Sequence, residues 1–297
     1  MPDHVHTDAA PPSGGLIRLQ VRAGDLGSWL GPTWAALCGV LASNASDWRG
    51  AGSIQLVLLI LLVDAGWGSL WTALASTEWA RPAVRWRRWR KNRTIATPPY
   101  TLPGTPGYRL GRWMGRALTW WREAFWPTCG SAVRVVLVFL PVTGLLSALL
   151  GPELILLSTA AVALMQIGVF WTGGRGTTPP GWDALIAVAL PWLAGHAAFA
   201  PITLKSAGLA TLLALAWGSV WNVTSGRAQA VLVASQLTSA VLLVALHRPL
   251  AAGALLLLLM AQVALLPAVR SDLPVPGFVR YSRLWLVAGM GVAALAL

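Results

Sequence analysis

The stretch ALLLLLMAQVALL (Ala254–Leu266) is apolar at every position except Gln262. A second run, LVLLILLV (Leu56–Val63), contains no polar residue. Strands of membrane β-barrels alternate apolar and polar side chains, and neither run does so. Both are typical of helices that cross a bilayer, which need about 20 predominantly apolar residues each. The two runs therefore predict an α-helical membrane protein.

Composition supports the same class. Of the 297 residues, 56% are hydrophobic and 11% are charged, and the mean hydropathy is +0.63. That charged fraction is less than half of the ~25% usual in soluble domains. We expect residues 1–15 to form a flexible tail without a cleavable signal, and residues 16–297 to form a single membrane domain. The two cysteines, Cys38 and Cys129, are too few for a disulfide framework and are expected to be inert thiols.

Apolar segments recur along the rest of the chain and predict an all-α polytopic bundle with about nine transmembrane helices. Tight breaks are expected at Gly151–Glu153 and at His247–Pro249, where Gly or Pro interrupts the apolar pattern. The nine predicted segments are 28–44, 54–76, 131–150, 152–171, 183–201, 204–222, 228–246, 249–268 and 281–297.

The distribution of basic residues predicts the orientation of this bundle. The loop 77–130 carries eleven of the 22 Lys and Arg residues. If the N-terminus is cytoplasmic, this loop and the other loops rich in arginine all lie on the cytoplasmic side, as the positive-inside rule requires. An odd number of spans then places the C-terminus outside. We expect a multi-pass protein of the inner (cytoplasmic) membrane.

The loop 77–130 contains two distinct basic stretches. The first, WARPAVRWRRWRKNR (Trp79–Arg93), holds three tryptophans and seven basic residues. The second, Tyr108–Trp126, predicts an amphipathic helix with apolar residues on one face and Arg109, Arg112 and Arg116 on the other. Because both adjoin membrane spans and match no nucleic-acid module, we expect anionic lipid headgroups as partners and no nucleic acid.

Ionisable residues within the apolar segments are candidates for function, because a charge in the membrane interior is costly. Asp64 lies inside the second segment, where functional pairing and structural hydrogen bonding are both open. Asp183 lies in the first turn of the fifth segment, where its carboxylate suits the helix dipole. His196 is expected to be a satisfied polar residue.

Several stretches resemble the UbiA superfamily of intramembrane prenyltransferases, whose span count and large basic loop this chain also shows. The resemblance covers nearly the whole chain from about residue 15 and predicts a UbiA-like bundle. It is carried by the stretches LIRLQVRAGDLGSWLGPTWAALCGVL (Leu16–Leu41), VDAGWGSLWTALASTEWARP (Val63–Pro82), GWDALIAVALPWLAGHAAF (Gly181–Phe199), SGRAQAVLVAS (Ser225–Ser235) and FVRYSRLWLVAGMGVAALAL (Phe278–Leu297).

The chain departs from that family where its chemistry resides. The family's Asp-rich motifs follow the second and sixth spans, and their carboxylates hold Mg²⁺ on a prenyl diphosphate. Here Ser69–Trp79 contains one acid, Glu78, and Trp217–Gln229 contains none. A magnesium clamp needs several carboxylate oxygens. The resemblance places Glu78, Asn222 and Arg227 near motif positions, and we assign a metal role to none of them.

These observations favour a UbiA-like membrane protein without Mg-dependent transferase activity. It would bind a lipid, quinone or pigment, or serve as a subunit of a membrane complex with partner proteins. One alternative is an active prenyltransferase in which arginines hold the diphosphate; another is a transporter. No metal and no cofactor are expected, and Mg²⁺ would be required only in the active alternative. Candidate residues for binding a ligand or an anion are Asp64, Glu78, Arg81, Arg85, Arg87, Arg88, Arg90, Asn222 and Arg227.

Overall fold

The computed structural model describes residues 31–44, 51–89, 102, 104–176, 179–271 and 275–297. Within these ranges every regular element is a helix, and the chain is an all-α polytopic membrane protein. The ten helices are α1 (Pro32–Ala42), α2 (51–75), α3 (Ala80–Trp89), α4 (Pro106–Leu150), α5 (Pro152–Trp171), α6 (Pro180–Phe199), α7 (Leu204–Val220), α8 (Gly226–Ala245), α9 (Pro249–Ser271) and α10 (Val275–Ala296).

The nine predicted segments correspond to nine of these helices. Six helical stretches are long and apolar enough to span a bilayer, and α1 and α7 are shorter apolar helices. The predicted breaks are confirmed: Gly151, with φ of 127°, separates α4 from α5, and His247, with φ of 61°, precedes α9. The predicted tail 1–15 lies outside the described residues.

The loop 77–130 differs from the expectation in one respect. The amphipathic stretch is not a separate helix, because α4 runs without interruption for 45 residues from Pro106 to Leu150. It begins where the Thr105 hydroxyl accepts a hydrogen bond from the Tyr108 N–H at 3.3 Å, with Pro106 in the first turn. Only its second half corresponds to the predicted span 131–150.

Three helices contain a π-helical section that the sequence pattern did not predict. These sections are Leu61–Gly68 in α2, Trp121–Phe125 in α4 and Leu185–Ala189 in α6. A π-helical turn shifts the register of all residues that follow it, and such turns often occur at functional sites. Within the section of α2, Asp64 is buried, whereas Leu61, three residues earlier, is 41% exposed.

The helices form two lobes that share α1 and α6. One apolar core joins α2, α4 and α5, and the other joins α7, α8, α9 and α10; α1 and α6 contribute side chains to both. Large apolar side chains on the outside of α4, α5 and α9, such as Leu145, Leu156 and Leu257, are more than half exposed and suit contact with lipid.

The backbones of α1 and α6 meet at two glycines. A Cβ atom on Gly39 would lie 1.9 Å from the carbonyl oxygen of Trp192. A Cβ atom on Gly195 would lie 2.0 Å from the carbonyl oxygen of Ala36. Small residues at membrane helix crossings allow such close approach. The junction of the two lobes therefore depends on the absence of side chains at both positions.

Buried polar side chains tie α6 to α7 at one end of the bundle. The Trp192 Nε1–H donates to Ser206 Oγ at 2.9 Å, and Ser206 Oγ lies 3.2 Å from His196 Nδ1. His196 Nε2 lies 3.1 Å from the carbonyl oxygen of Pro201. All four groups are satisfied if His196 is neutral, donates from Nε2 and accepts the Ser206 proton at Nδ1. The prediction of a satisfied histidine is confirmed.

Candidate ligand site at the basic end of the bundle

We call the end at which α2, α5 and α7 finish, and α6, α8 and α10 begin, the basic end. It contains both regions that correspond to the Asp-rich motifs of the family resemblance. In the first, Glu78 follows the end of α2, and its Oε2 lies 3.4 Å from Arg81 Nη1. Both side chains are more than half exposed, at 53% and 57%. Exposed pairs of this kind contribute at most about 1 kcal/mol, so this is a surface ion pair.

A glycine-rich turn supports the exit from α2. The Ala80 N–H donates to the Gly174 carbonyl oxygen at 3.2 Å. Gly173, Gly174 and Gly176 all have positive φ, and a Cβ atom on Gly174 would lie 3.0 Å from Trp79 Cβ. Left-handed backbone and close contact both favour glycine here. The turn therefore has a structural role in joining α5 to α6.

Asp183 links the start of α6 to α2. The Trp71 Nε1–H donates to Asp183 Oδ1 at 2.8 Å, and both residues are partly or fully buried. The sequence predicted that Asp183 interacts with the dipole of α6, but it did not predict the hydrogen bond from Trp71 on α2. The Trp71 partner was not predictable from the sequence, because nothing in the local pattern pairs these two residues.

The second region has a positive charge where the family resemblance places metal-binding acids. The guanidinium carbon of Arg283, on α10, lies 5.5 Å from the ring centre of Trp217 and 4.3 Å from that of Trp221. The two tryptophans are four residues apart at the end of α7, so they share one helix face. A guanidinium over aromatic rings is a cation–π arrangement. Its charge would repel a divalent cation at this place.

Among the predicted site residues that the structure describes, Glu78 and Arg81 contact each other. Glu78 is at the exit of α2, whereas Asn222 and Arg227 are exposed residues beyond α7. The first turn of α6 contacts both regions: Trp71 bonds Asp183 on one side, and on the other a Cβ atom on Gly218 would lie 3.0 Å from the Pro180 carbonyl oxygen.

The other candidates that the structure describes belong to α2 and α3. Asp64 is buried within α2, at 4% exposure, and Arg85 is exposed on α3. Arg87 and Arg88 belong to α3, but their side chains lie outside the described residues, as does the whole of Arg90. In the described part of the chain, no three His, Cys, Asp or Glu residues lie close enough to hold a metal ion. The side chains at these two regions do not fit a magnesium site.

The Arg283 arrangement leads to a stability prediction. Substituting Arg283 with glutamine should lower the free energy of unfolding by about 1–2 kcal/mol, because the cation–π contacts with Trp217 and Trp221 are lost. The measurement is SDS-induced unfolding in mild detergent, followed by far-UV circular dichroism. Arg280→Gln, at an exposed position of the same helix, is the matched control and should change little. Equal effects of the two substitutions would contradict the predicted contribution.

Comparison with known proteins gives one informative similarity. The chain is 30% identical over 206 residues to the bacteriochlorophyll synthase 34 kDa chain of Chloroflexus aurantiacus. The aligned region is 66% of this chain and 54% of that protein, so the chain spans about half the length of the curated relative that it matches. No family profile and no solved structure matches. The relative is a UbiA-superfamily prenyltransferase, so the similarity supports the resemblance to that superfamily.

Proposed function

We propose that this chain is a UbiA-like protein of the cytoplasmic membrane that does not catalyse Mg-dependent prenyl transfer. It binds a lipophilic ligand, such as a lipid, quinone or pigment, or acts as a subunit of a membrane complex. The basic end faces the cytoplasm and the C-terminus lies outside. The observation that carries this proposal is the Arg283 guanidinium held against Trp217 and Trp221.

Electrostatics favours this proposal over Mg-dependent transfer. A departing diphosphate develops negative charge, which the family neutralises with divalent cations bound by carboxylates. Here the first region offers Glu78, already paired with Arg81, and the second offers a cation. A magnesium ion would lack ligands in the first region and would be repelled in the second.

The active alternative also has support. The relative is named as a synthase, and arginines bind phosphate groups in a bidentate manner. In that case Arg85 and its neighbours on α3 would neutralise the diphosphate without a metal ion. Substituting Arg85, Arg87, Arg88 and Arg90 together would then abolish binding of the donor.

A transfer assay tests the proposal. The purified protein is mixed with Mg²⁺, prenyl diphosphates of increasing chain length and lipophilic acceptors, and prenylated products are measured by mass spectrometry. We expect no product above that of membranes lacking the protein. Rapid product formation that EDTA abolishes would overturn the proposal, and product formation insensitive to EDTA would establish the arginine-based alternative.

The ligand is tested separately. The protein is purified in mild detergent, its absorption spectrum is recorded, and its bound lipids are extracted and identified. We expect one lipophilic molecule in near-stoichiometric amount, or a copurifying membrane subunit. Recovery of bulk phospholipid alone, with no partner chain, would contradict both forms of the proposal.

A further inference from the structure

The first twenty residues of α4 expose an apolar face that nothing in the described structure covers. We call residues 106–125 the arm. Leu110, Met114 and Leu118 on this face are 58%, 51% and 57% exposed, and Trp113, at its edge, is 59% exposed. No residue of Pro106–Trp120 is buried. Side chains of this size are usually covered when they form a contiguous surface, so this face is expected to have a partner.

The opposite face of the arm is basic. At 100° per residue, Arg109, Arg112 and Arg116 lie together about half a turn from the face formed by Leu110, Met114 and Leu118. The Cζ atom of Arg112 also lies 5.7 Å from the centre of the Tyr108 ring. A helix with an aliphatic face opposite arginines is typical of helices that lie in a membrane interface.

The arm is attached close to the membrane at its C-terminal end. The Trp120 Nε1–H donates to the Pro82 carbonyl oxygen at 3.0 Å, and the Trp120 and Trp86 rings meet edge to face with centres 5.4 Å apart. Pro82 and Trp86 belong to α3, which starts five residues after α2 ends. The level of Trp120 along α4 is therefore that of the α2 exit.

The side chains of Arg134 and Trp126, further along α4, indicate the level of the lipid headgroups. The Arg134 guanidinium carbon lies 6.0 Å from the centre of the Trp126 ring, and its Nε donates to the Gly130 carbonyl oxygen at 3.3 Å. Arginine at the end of a span extends toward the interface, where tryptophan also concentrates. Arg134 to Leu150 covers about 25 Å at 1.5 Å per residue, close to the thickness of a hydrocarbon core.

The junction between the arm and the span has both features that commonly let a helix bend. The section Trp121–Phe125 is π-helical, and Pro127, which has no N–H, lies two residues after it. Without a bend, the 45 residues of α4 would extend about 68 Å, twice the thickness of the hydrocarbon core, and would project the apolar face into water.

We propose that the arm lies in the headgroup layer of an anionic bilayer at the basic end, with Leu110, Met114 and Leu118 directed into the acyl boundary. Arg109, Arg112 and Arg116 then reach anionic phosphates. The occupant of the apolar face is lipid because tryptophan and arginine flank it and the attachment through Trp120 holds it at the membrane surface. This proposal is independent of whether the protein is an enzyme.

Spin labels in proteoliposomes test this placement. Single cysteines replace Met114, Leu118 or Arg112 in full-length protein whose Cys38 and Cys129 have been changed to alanine. Leu156→Cys on α5, where the native side chain is 73% exposed, provides the reference for a lipid-facing site. Collision with oxygen reports lipid, and collision with a nickel chelate reports water. Vesicles contain phosphatidylcholine alone or with one quarter phosphatidylglycerol.

We expect labels at 114 and 118 to match the label at 156, with high oxygen and low nickel collision, and the label at 112 to show the reverse. Removing phosphatidylglycerol should raise nickel collision at 114 and 118 severalfold. Protection of 114 and 118 from both reagents would show that protein covers this face, as in a dimer. Free access of nickel would place the arm in water. Either result, or indifference to phosphatidylglycerol, would overturn the proposal.

Discussion

Replacing Gly195 with alanine should separate α1 from α6 and, like the matching change at Gly39, destabilise the protein by more than an alanine at any other described glycine. The new Cβ atom would lie 2.0 Å from the Ala36 carbonyl oxygen and 2.9 Å from its carbonyl carbon. Both are backbone atoms, so no side-chain rotation relieves the contact. We expect a loss at or above the upper end of the usual cost of overpacking, which is about 1–3 kcal/mol.

The intrinsic preference of helices for alanine acts in the opposite direction by about 1 kcal/mol, so the sign of the result is informative. Gly144→Ala in α4 and Gly253→Ala in α9 are matched controls, because an added Cβ atom meets nothing within 4 Å at either position. Both controls should unfold in SDS at the parent concentration or higher. Retention of parental stability by Gly195→Ala would show that the two helices are not in backbone contact.

The reciprocal position extends this test. Gly39→Ala should be as damaging, since its Cβ atom would lie 1.9 Å from the Trp192 carbonyl oxygen. Both substitutions act by separating the same two helices, so the double variant should lose less stability than the sum of the single variants. Strict additivity would mean that each glycine acts on a different structural element.

After the two glycine substitutions, Ser206→Ala should be the most damaging change, because one hydroxyl satisfies two other buried groups. Without Ser206 Oγ, the Trp192 Nε1–H loses its acceptor and His196 Nδ1 loses its donor. A buried polar group without a partner costs about 1–3 kcal/mol, although bonds within membranes are often weaker. We expect a loss of about 2 kcal/mol or more in unfolding by SDS.

A control on the same helix separates this network from the loss of any hydroxyl. Thr211 is exposed, and its hydroxyl donates to the Ala207 carbonyl oxygen at 2.8 Å. That carbonyl oxygen keeps its hydrogen bond within the helix backbone when the hydroxyl is removed. Thr211→Ala should therefore leave stability nearly unchanged. Similar losses for Thr211→Ala and Ser206→Ala would contradict a special role for the Trp192–Ser206–His196 network.

Much of the fold was predictable from hydrophobicity alone. The C-terminal end of each predicted segment lies within three residues of a helix end, because the boundary between apolar and polar sequence is also the boundary between lipid and water. The π-helical turns were not predictable, since a one-residue change of register leaves composition unaltered. The contact between Gly39 and Gly195 was not predictable either, because it is set by tertiary packing between segments distant in sequence.

The candidate site, like the fold, was predictable from the sequence only in part. The shortage of carboxylates at Ser69–Trp79 and Trp217–Gln229 is visible in the sequence. The cation in the second region is not, because Arg283 reaches Trp217 and Trp221 from a different helix. The arginines of α3 form the densest basic cluster in the sequence. In the structure Arg81 pairs with Glu78, and Arg85 is exposed to solvent. Local density of charge in the sequence therefore does not reveal Arg283, which tertiary packing places beside Trp217 and Trp221.

The contact at Gly39 and Gly195 also divides the interior of the protein. Where two backbones touch, there is no room for a third molecule, so a hydrophobic guest cannot pass between α1 and α6 at that depth. The apolar core of α2, α4 and α5 and the core of α7 to α10 are therefore separated by backbone at this level. A long-chain ligand that contacts both cores must do so nearer an end of the bundle.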